Sequence, residues 1–187
     1  MYLRKTIIFI MLAALAVLPA CLDETVKPVK EAPPITWPDL TGEEDAVRVL
    51  VMCYDNPSLE GVMTIYENLL HSEYFFGFAP EDVAPGDPPI LTRAGDIAST
   101  AWIFKNQSIL ELTIIPTGYW YDYPEIGGTA CEGCLSTTRQ YYIRVQFGKE
   151  NTVFQSIPGS AVVTIVVAPD ESDASKWVIR AIYDHGT

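Results

Sequence analysis

Three segments of the chain carry apolar residues at spacings of three and four, which predicts three amphipathic helices. The first helix spans 43–55, and Thr41-Gly42-Glu43-Glu44 before it has the form of a capping box. The second is predicted to begin at Asn56-Pro57, because Asn56 can cap a helix and Pro57 suits a first turn. The third begins after Thr92, whose hydroxyl can cap it.

The rest of the chain has short β-branched and aromatic runs that are typical of strands. Val162–Val167 has no polar alternation, so we expect both of its faces to be covered. Helices first and antiparallel strands afterwards predict an α+β domain. The predicted strands are Tyr74–Phe78, Ser108–Ile115, Arg139–Phe147, Thr152–Ile157, Ala161–Ala168 and Lys176–Tyr183.

The N-terminus has the features of a bacterial secretion signal. Arg4 and Lys5 precede the 13 apolar or small residues of Thr6–Leu18, a stretch shorter than the roughly 20 residues needed to span a bilayer. The following Leu18-Pro19-Ala20-Cys21 resembles a lipobox, which implies removal of residues 1–20 and attachment of lipid to Cys21. The alternative is ordinary secretion, in which Cys21 carries no lipid.

Residues 21–41 are rich in proline and charge, so we expect them to form an extended tether between the membrane and a domain over 42–187. Leu22 after the modified cysteine is not the aspartate associated with inner-membrane retention, which favours the outer membrane. Loss of Arg4 and Lys5 with the signal takes the net charge from −12 to −14. Such a chain has no surface for nucleic acid, and only the lipid would hold it on a membrane.

The order of elements resembles the nuclear transport factor 2-like superfamily, also called the cystatin-like or SnoaL-like cone. The resemblance covers residues 42–187 and includes small bacterial lipoproteins of the superfamily. It implies three helices on a strongly curved antiparallel sheet that leaves a cone-shaped pocket. The runs that carry it are Glu43–Asp55, Tyr66-Glu67-Asn68-Leu69-Leu70-His71, Tyr74–Val83 and Trp177–Asp184.

Enzymes of this superfamily commonly place an acid on or beside the first strand of the cone. The predicted first strand, Tyr74–Phe78, contains only aromatic residues and Gly77, so we assign no catalytic residue. The sequence also shows no motif for a cofactor or a metal. The candidates for a pocket in the cone are Tyr54, Tyr66, His71, Trp102 and Asp184.

Cys131-Glu132-Gly133-Cys134 lies in the loop 117–138, which we expect to be an insertion between two strands. In an oxidising compartment the two cysteines favour a local disulfide; free thiols and a metal or redox site are the alternatives. The same loop holds four aromatic rings. They either form a binding surface or have a lid or packing role, closing the open end of the cone over the core. These rings are Tyr119, Trp120, Tyr121 and Tyr123.

Two functions follow from these features. The first is a lipid-anchored envelope protein whose non-catalytic cone binds a small apolar ligand or a protein partner, with a homodimer also compatible with the resemblance. The second is a cone enzyme, an isomerase, dehydratase or hydrolase, that works in an apolar pocket. Polar groups converging at the base of the cone would favour the enzyme, and a filled base would favour the binding protein.

Overall fold

A computed structural model describes residues 34–116, 118–147, 152–155 and 161–186. Its helices begin and end where their backbone N–H and C=O groups find hydrogen-bond partners. The signal sequence, Cys21 and the tether up to residue 33 lie outside the described residues. The described residues from Trp37 onward belong to one compact unit. Among the described residues, no helix is long and apolar enough to cross a bilayer. The helices are α1 (Glu43–Asp55), α2 (Val62–Leu69) and α3 (Arg93–Asn106).

The start of α1 differs from the predicted capping box. Gly42 is the N-cap, and its N–H donates to the carboxylate of Asp45 at 3.3 Å. Thr41 bonds to Asp39 instead, through its N–H and its hydroxyl. The helix still has the three acidic residues in its first turn that suit the positive end of the helix dipole.

The prediction that α2 begins at Asn56-Pro57 is wrong. Residues 57–61 form turns, and the helix starts after Gly61, whose φ of 81° is a left-handed conformation that glycine adopts without strain. The chain then passes from Leu69 directly into a strand, so the helix is only 8 residues long. The cap of α3 is confirmed, because the Thr92 hydroxyl accepts from the Gly95 N–H at 3.4 Å.

The sheet contains eight strands, with the order β2-β1-β10-β9-β7-β3, and β4 and β8 also pair with β7. A separate hairpin, β5-β6, lies in the loop between β3 and β7. The strands are β1 (Leu70–Gly77), β2 (Ile90–Thr92), β3 (Gln107–Ile114), β4 (Tyr121–Asp122), β5 (Glu125–Ile126), β6 (Thr129–Ala130), β7 (Leu135–Phe147), β8 (Thr152–Gln155), β9 (Val162–Pro169) and β10 (Trp177–Asp184).

The α+β class and the three helices on a sheet are as predicted, but the sheet is mixed. Strand β1 pairs with β10 in parallel, and every other pair is antiparallel among the described strands. Strand β7 also starts at Leu135, four residues earlier than predicted, because its first half pairs with β9. The third helix follows the predicted aromatic strand, which is β1, and also follows β2, a strand that was not predicted.

The prediction for Val162–Val167 is confirmed in its main point: β9 lies between β10 and β7 and is covered on both faces. Val163, Ile165 and Val167 pack with buried residues of the three helices. Val166 packs on the other face, in a smaller cluster with Ile126 and Cys134 of the β3–β7 loop. The helices and this loop therefore cover opposite faces of the sheet.

Candidate functional site

A cavity of about 500 Å³ lies between the three helices and the sheet face that they cover. Its walls are mostly apolar and come from all three helices and from the strands β1, β2, β3, β7, β9 and β10. Helix and strand periodicity brings these side chains together, because each element presents one face to the cavity. The apolar walls include Leu50, Ile103, Leu112, Val163, Ile165 and Ile182.

A buried cluster of polar groups interrupts these walls. The Tyr66 hydroxyl donates to the Asp96 carboxylate at 2.5 Å, and the Thr100 hydroxyl donates to Tyr66 Oη at 3.4 Å. Asp96 and Thr100 are four residues apart in α3, which places both on one face of that helix. Tyr54 of α1 completes the cluster, with its ring 6.4 Å from that of Tyr66.

Burial dominates the electrostatics of this cluster. It raises the pKa of the Asp96 carboxyl above its usual range, although the hydrogen bond from Tyr66 acts in the opposite direction. Burial raises the pKa of Tyr54 to about 12, with a smaller contribution from Asp96. The pKa of Tyr66 also lies well above its usual range, first through burial. The tyrosines therefore stay protonated, and Asp96 exchanges its proton closer to neutral pH than an exposed aspartate does.

Tyr74 of β1 also lines the cavity, and its side chain is 3% exposed. No described donor or acceptor lies within hydrogen-bond distance of its buried hydroxyl oxygen. Burial raises the pKa of Tyr74 well above its usual range, and Asp96 and Tyr54 raise it further. A buried hydroxyl without a partner is costly, so a hydrogen bond from this group to a ligand atom would be favourable.

A second polar group lies on the more exposed side of the cavity. The Tyr141 hydroxyl donates to the Asp184 carboxylate at 3.0 Å, and burial followed by the charge of Asp184 raises the pKa of Tyr141. The Gly186 N–H also donates to Asp184, at 3.0 Å. Phe78 and Asp82 line the cavity and are exposed, so they mark its opening.

Solved structures with the same architecture are distant in sequence. The chain is 10% identical to a nuclear transport factor 2-like superfamily protein from Salmonella enterica serovar Typhimurium, with a TM-score of 0.52 over 76% of this chain and 86% of that one. It is 7% identical to a ketosteroid isomerase-like protein from Erwinia carotovora atroseptica, with a TM-score of 0.50 over 78% of this chain and 93% of that one. The chain has the nuclear transport factor 2-like fold. No protein-family model matches the chain, and no curated protein matches its sequence.

At these sequence identities the likeness shows the fold alone. The residues that line the cavity are therefore identified from the structure of this chain. Tyr54, Tyr66 and Asp184, three of the five pocket candidates, line the cavity. His71 and Trp102 do not.

His71 does not line the cavity, and it belongs to β1 and not to the end of α2. Its ring lies 3.4 Å from the carboxylate of Glu171, and its Nδ1 accepts from the Glu73 N–H at 3.1 Å. Burial, and then the positive charge of Arg180, lowers its pKa. These contacts occupy both ring nitrogens.

Trp102 lies outside the cavity because α3 turns a different face to it. Asp96, Thr100 and Ile103 line the cavity, whereas Trp102 is 56% exposed. Its ring contacts that of Phe147, with centroids 5.0 Å apart, along a separate apolar groove.

The sequence-based search for an acid was directed at the wrong element. Glu73 is the acid that β1 does contain, and it is exposed and pairs with Arg180 outside the cavity. The buried acid of the cone is Asp96, on α3. In the sequence, Asp96 and Thr100 are four residues apart on a predicted helix that also carries apolar residues. This spacing was the signal that could have indicated a polar pair on the buried face of the helix.

Cys131 and Cys134 form a disulfide, with their Cα atoms 5.5 Å apart. Among the described residues, no group of three or more His, Cys, Asp or Glu side chains could hold a metal ion. Cys53 is a free, buried thiol, and burial raises its pKa to about 12.

The aromatic residues of the stapled loop do not close the cone, because none of its described residues lines the cavity. Tyr123 packs with the smaller cluster on the opposite sheet face, and Trp120 packs against the main core. Tyr119 and Tyr121 are 80% and 63% exposed, and their rings contact each other. The interpretation of the loop as a lid is therefore wrong for the part of the loop that is described.

Proposed function

We propose that this protein is a lipid-anchored protein of the bacterial cell envelope whose cone binds a small apolar molecule. The observation that carries the proposal is the cavity of about 500 Å³, with apolar walls and a few convergent polar groups. Small-molecule sites typically have this volume and this composition.

Support for the anchor comes from the sequence alone. The lipobox-like run ends at Cys21, and acyl chains contribute about 0.8 kcal/mol for each buried methylene, so two or three chains suffice for stable attachment. Cys21→Ser should release the protein from the membrane fraction, while Cys53→Ala, which changes a buried cysteine, should leave it bound. Retention of the Cys21→Ser protein on the membrane would contradict the anchor.

Ligand binding is tested by native mass spectrometry of the full chain purified from the envelope. We expect a retained small molecule whose retention is reduced in Ile114→Trp, because Ile114 lines the cavity and a larger side chain would occupy part of the ligand's space. Thr113→Trp is the matched control, since Thr113 is the next residue of β3, is exposed and does not line the cavity. Retention by both variants would contradict the cavity as the binding site.

An acid–base enzyme is the second candidate, and the Tyr66–Asp96 hydrogen bond of 2.5 Å is the observation that favours it. Polar groups converge in the cone, and such convergence favours an enzyme. Asp96, with its raised pKa, could transfer a proton to or from a bound molecule.

Asp96→Asn distinguishes the two candidates, because asparagine keeps an acceptor for Tyr66 but cannot transfer the proton. A binding protein would retain the same molecule in both the variant and the wild type, by mass and by chromatographic retention time, which separates the isomers that an isomerase would interconvert. An enzyme would retain its substrate in the variant and either product or nothing in the wild type. The second result would replace the first proposal with the enzyme.

A further inference from the structure

The charged residues that line the cavity all have the same sign. Among the described lining residues, the charged side chains are Asp82, Asp96 and Asp184, and none is Lys, Arg or His. An anionic ligand would meet carboxyl groups and no positive charge to balance its own. Burial of an unpaired charge is strongly unfavourable, so the cavity is poorly suited to a carboxylate.

The unpartnered Tyr74 hydroxyl defines what the ligand must supply. Its oxygen is buried and has no hydrogen-bond partner among the described residues. The nearby Asp96 accepts from Tyr66. Tyr74 therefore has a proton to donate, and a ligand acceptor would satisfy it.

A positively charged ligand does not fit this requirement. An ammonium or amidinium group has donors but no acceptor, so it would leave the Tyr74 hydrogen without a partner. Its charge would also have to leave water, and the carboxyl groups of Asp96 and Asp184 already accept hydrogen bonds from Tyr66 and Tyr141.

On the basis of the proposed function, we propose that the molecule bound in the cavity is uncharged. It presents one hydrogen-bond acceptor, such as a carbonyl oxygen, to Tyr74 Oη. The apolar walls hold the rest of the molecule. Tyr74 thus selects for a hydrogen-bond acceptor at one position of the ligand. The acidic side chains that line the cavity exclude carboxylates.

Four probes of nearly equal shape test this inference by equilibrium dialysis against the full chain. Methyl naphthyl ketone carries the acceptor, and isopropenylnaphthalene replaces its oxygen with a CH₂ group. Naphthoate and naphthamidinium replace the same group with an anion and a cation. The affinity of each probe is measured for the wild type, Tyr74→Phe and Tyr121→Phe, so that nonspecific partition is common to all three proteins.

We expect the ketone to bind Tyr74→Phe about three- to tenfold more weakly than the wild type, the range for one neutral hydrogen bond. The alkene should be unaffected by the change. Tyr121→Phe is the control, since it also removes one tyrosine hydroxyl but Tyr121 is 63% exposed and does not line the cavity. It should leave the ketone affinity unchanged. Naphthoate and naphthamidinium should bind at least about tenfold more weakly than the ketone.

Equal ketone affinity for the wild type and Tyr74→Phe would overturn Tyr74 as the anchor. Naphthoate or naphthamidinium binding as tightly as the ketone would overturn the charge selection. If the molecule retained in native mass spectrometry were a carboxylate, the inference would fail while the proposed function stood. If none of the four probes bound, the proposed function would fail together with the inference.

Discussion

The guanidinium of Arg139 binds the carboxylate of Glu44 through two hydrogen bonds of 2.8 and 2.6 Å, and so joins β7 to the first turn of α1. The Arg139 side chain is 1% exposed. Its Nε also donates to the Thr137 hydroxyl at 3.2 Å, and its Cζ lies 5.3 Å from the centre of the Trp120 ring. The arginine therefore depends on Glu44 to balance a charge that is out of water.

Glu44→Ala should lower the free energy of unfolding by about 2–3 kcal/mol, because it leaves Arg139 buried and unpaired. Glu44 is 40% exposed on its outer side, which keeps the expected loss below that of a fully buried pair. Arg48→Ala is the control: it removes a pair with Asp45 that is 63% exposed on the arginine side and should cost less than about 1 kcal/mol. Urea unfolding measures both variants. Equal effects would contradict a special role for the buried pair.

The local sequence around Glu44 predicts the helix but not this contact. The capping-box pattern assigns Glu44 to the N-cap backbone, whereas Asp45 takes that role and Glu44 pairs with an arginine 95 residues away. Local patterns identify which residues suit a helix start. They contain no information about a distant strand that competes for one of the same carboxylates.

The hydroxyl groups of Tyr74 and Tyr66 should have opposite effects on stability. Both side chains are almost fully buried, at 3% and 2% exposed. Tyr74→Phe removes an unpaired hydroxyl and should raise the free energy of unfolding of the unliganded protein by about 1 kcal/mol.

Tyr66→Phe removes the donor to Asp96 and should lower the free energy of unfolding by about 1–3 kcal/mol. Thermal unfolding of the two variants in parallel provides the test. Destabilisation by Tyr74→Phe comparable to that by Tyr66→Phe would show that the Tyr74 hydroxyl has a partner in solution.

The contribution of Asp96 to the free energy of unfolding should fall as the pH rises. Because burial raises its pKa, the native state holds the proton more tightly than the unfolded chain. This contribution is fully present below the ordinary pKa of 3.8 and is lost as the pH rises through the raised pKa.

Asp96→Asn should therefore be more stable than the wild type near neutral pH and should lose that advantage near pH ~3. Urea unfolding at several pH values measures the difference, and a difference that did not change with pH would contradict a raised pKa. The Glu44 carboxylate has the opposite sign, because the hydrogen bond from Arg139 lowers its pKa. It contributes stability above the ordinary value of 4.5, which is lost as the pH falls through the lowered pKa.

Much of the fold can be predicted from the periodicity of apolar residues in the sequence. The predictions fail where contacts between residues distant in sequence determine the structure. The boundaries of β3, β9 and β10 lie within one or two residues of the predicted ones. The parallel pairing of β1 with β10 was not predictable in this way, because alternation in a strand does not reveal its neighbour. The sequence also placed Tyr54 and Tyr66 in the pocket, but missed Asp96, since one polar residue in a helix is usually exposed.

The disulfide should order the β3–β7 loop more than it stabilises the domain. Cys131 and Cys134 are three residues apart, and chain entropy assigns a ring of this size about 2 kcal/mol at most. Cys134 is nevertheless 3% exposed and packs with Ile126 and Val166 on the outer sheet face. Loss of the bond should therefore loosen the cover of that face while the main core stays intact.

Reduction of the folded protein should lower the free energy of unfolding by no more than about 2 kcal/mol and should make the loop a site of proteolysis. Cleavage should occur next to Tyr119 or Tyr121, whose rings are exposed. The double variant Cys131→Ala and Cys134→Ala should behave in the same way without reductant, whereas Cys53→Ala should leave the loop resistant. Limited proteolysis with mass analysis reads out the sites. Cleavage throughout the core on reduction would show that the bond supports the whole fold.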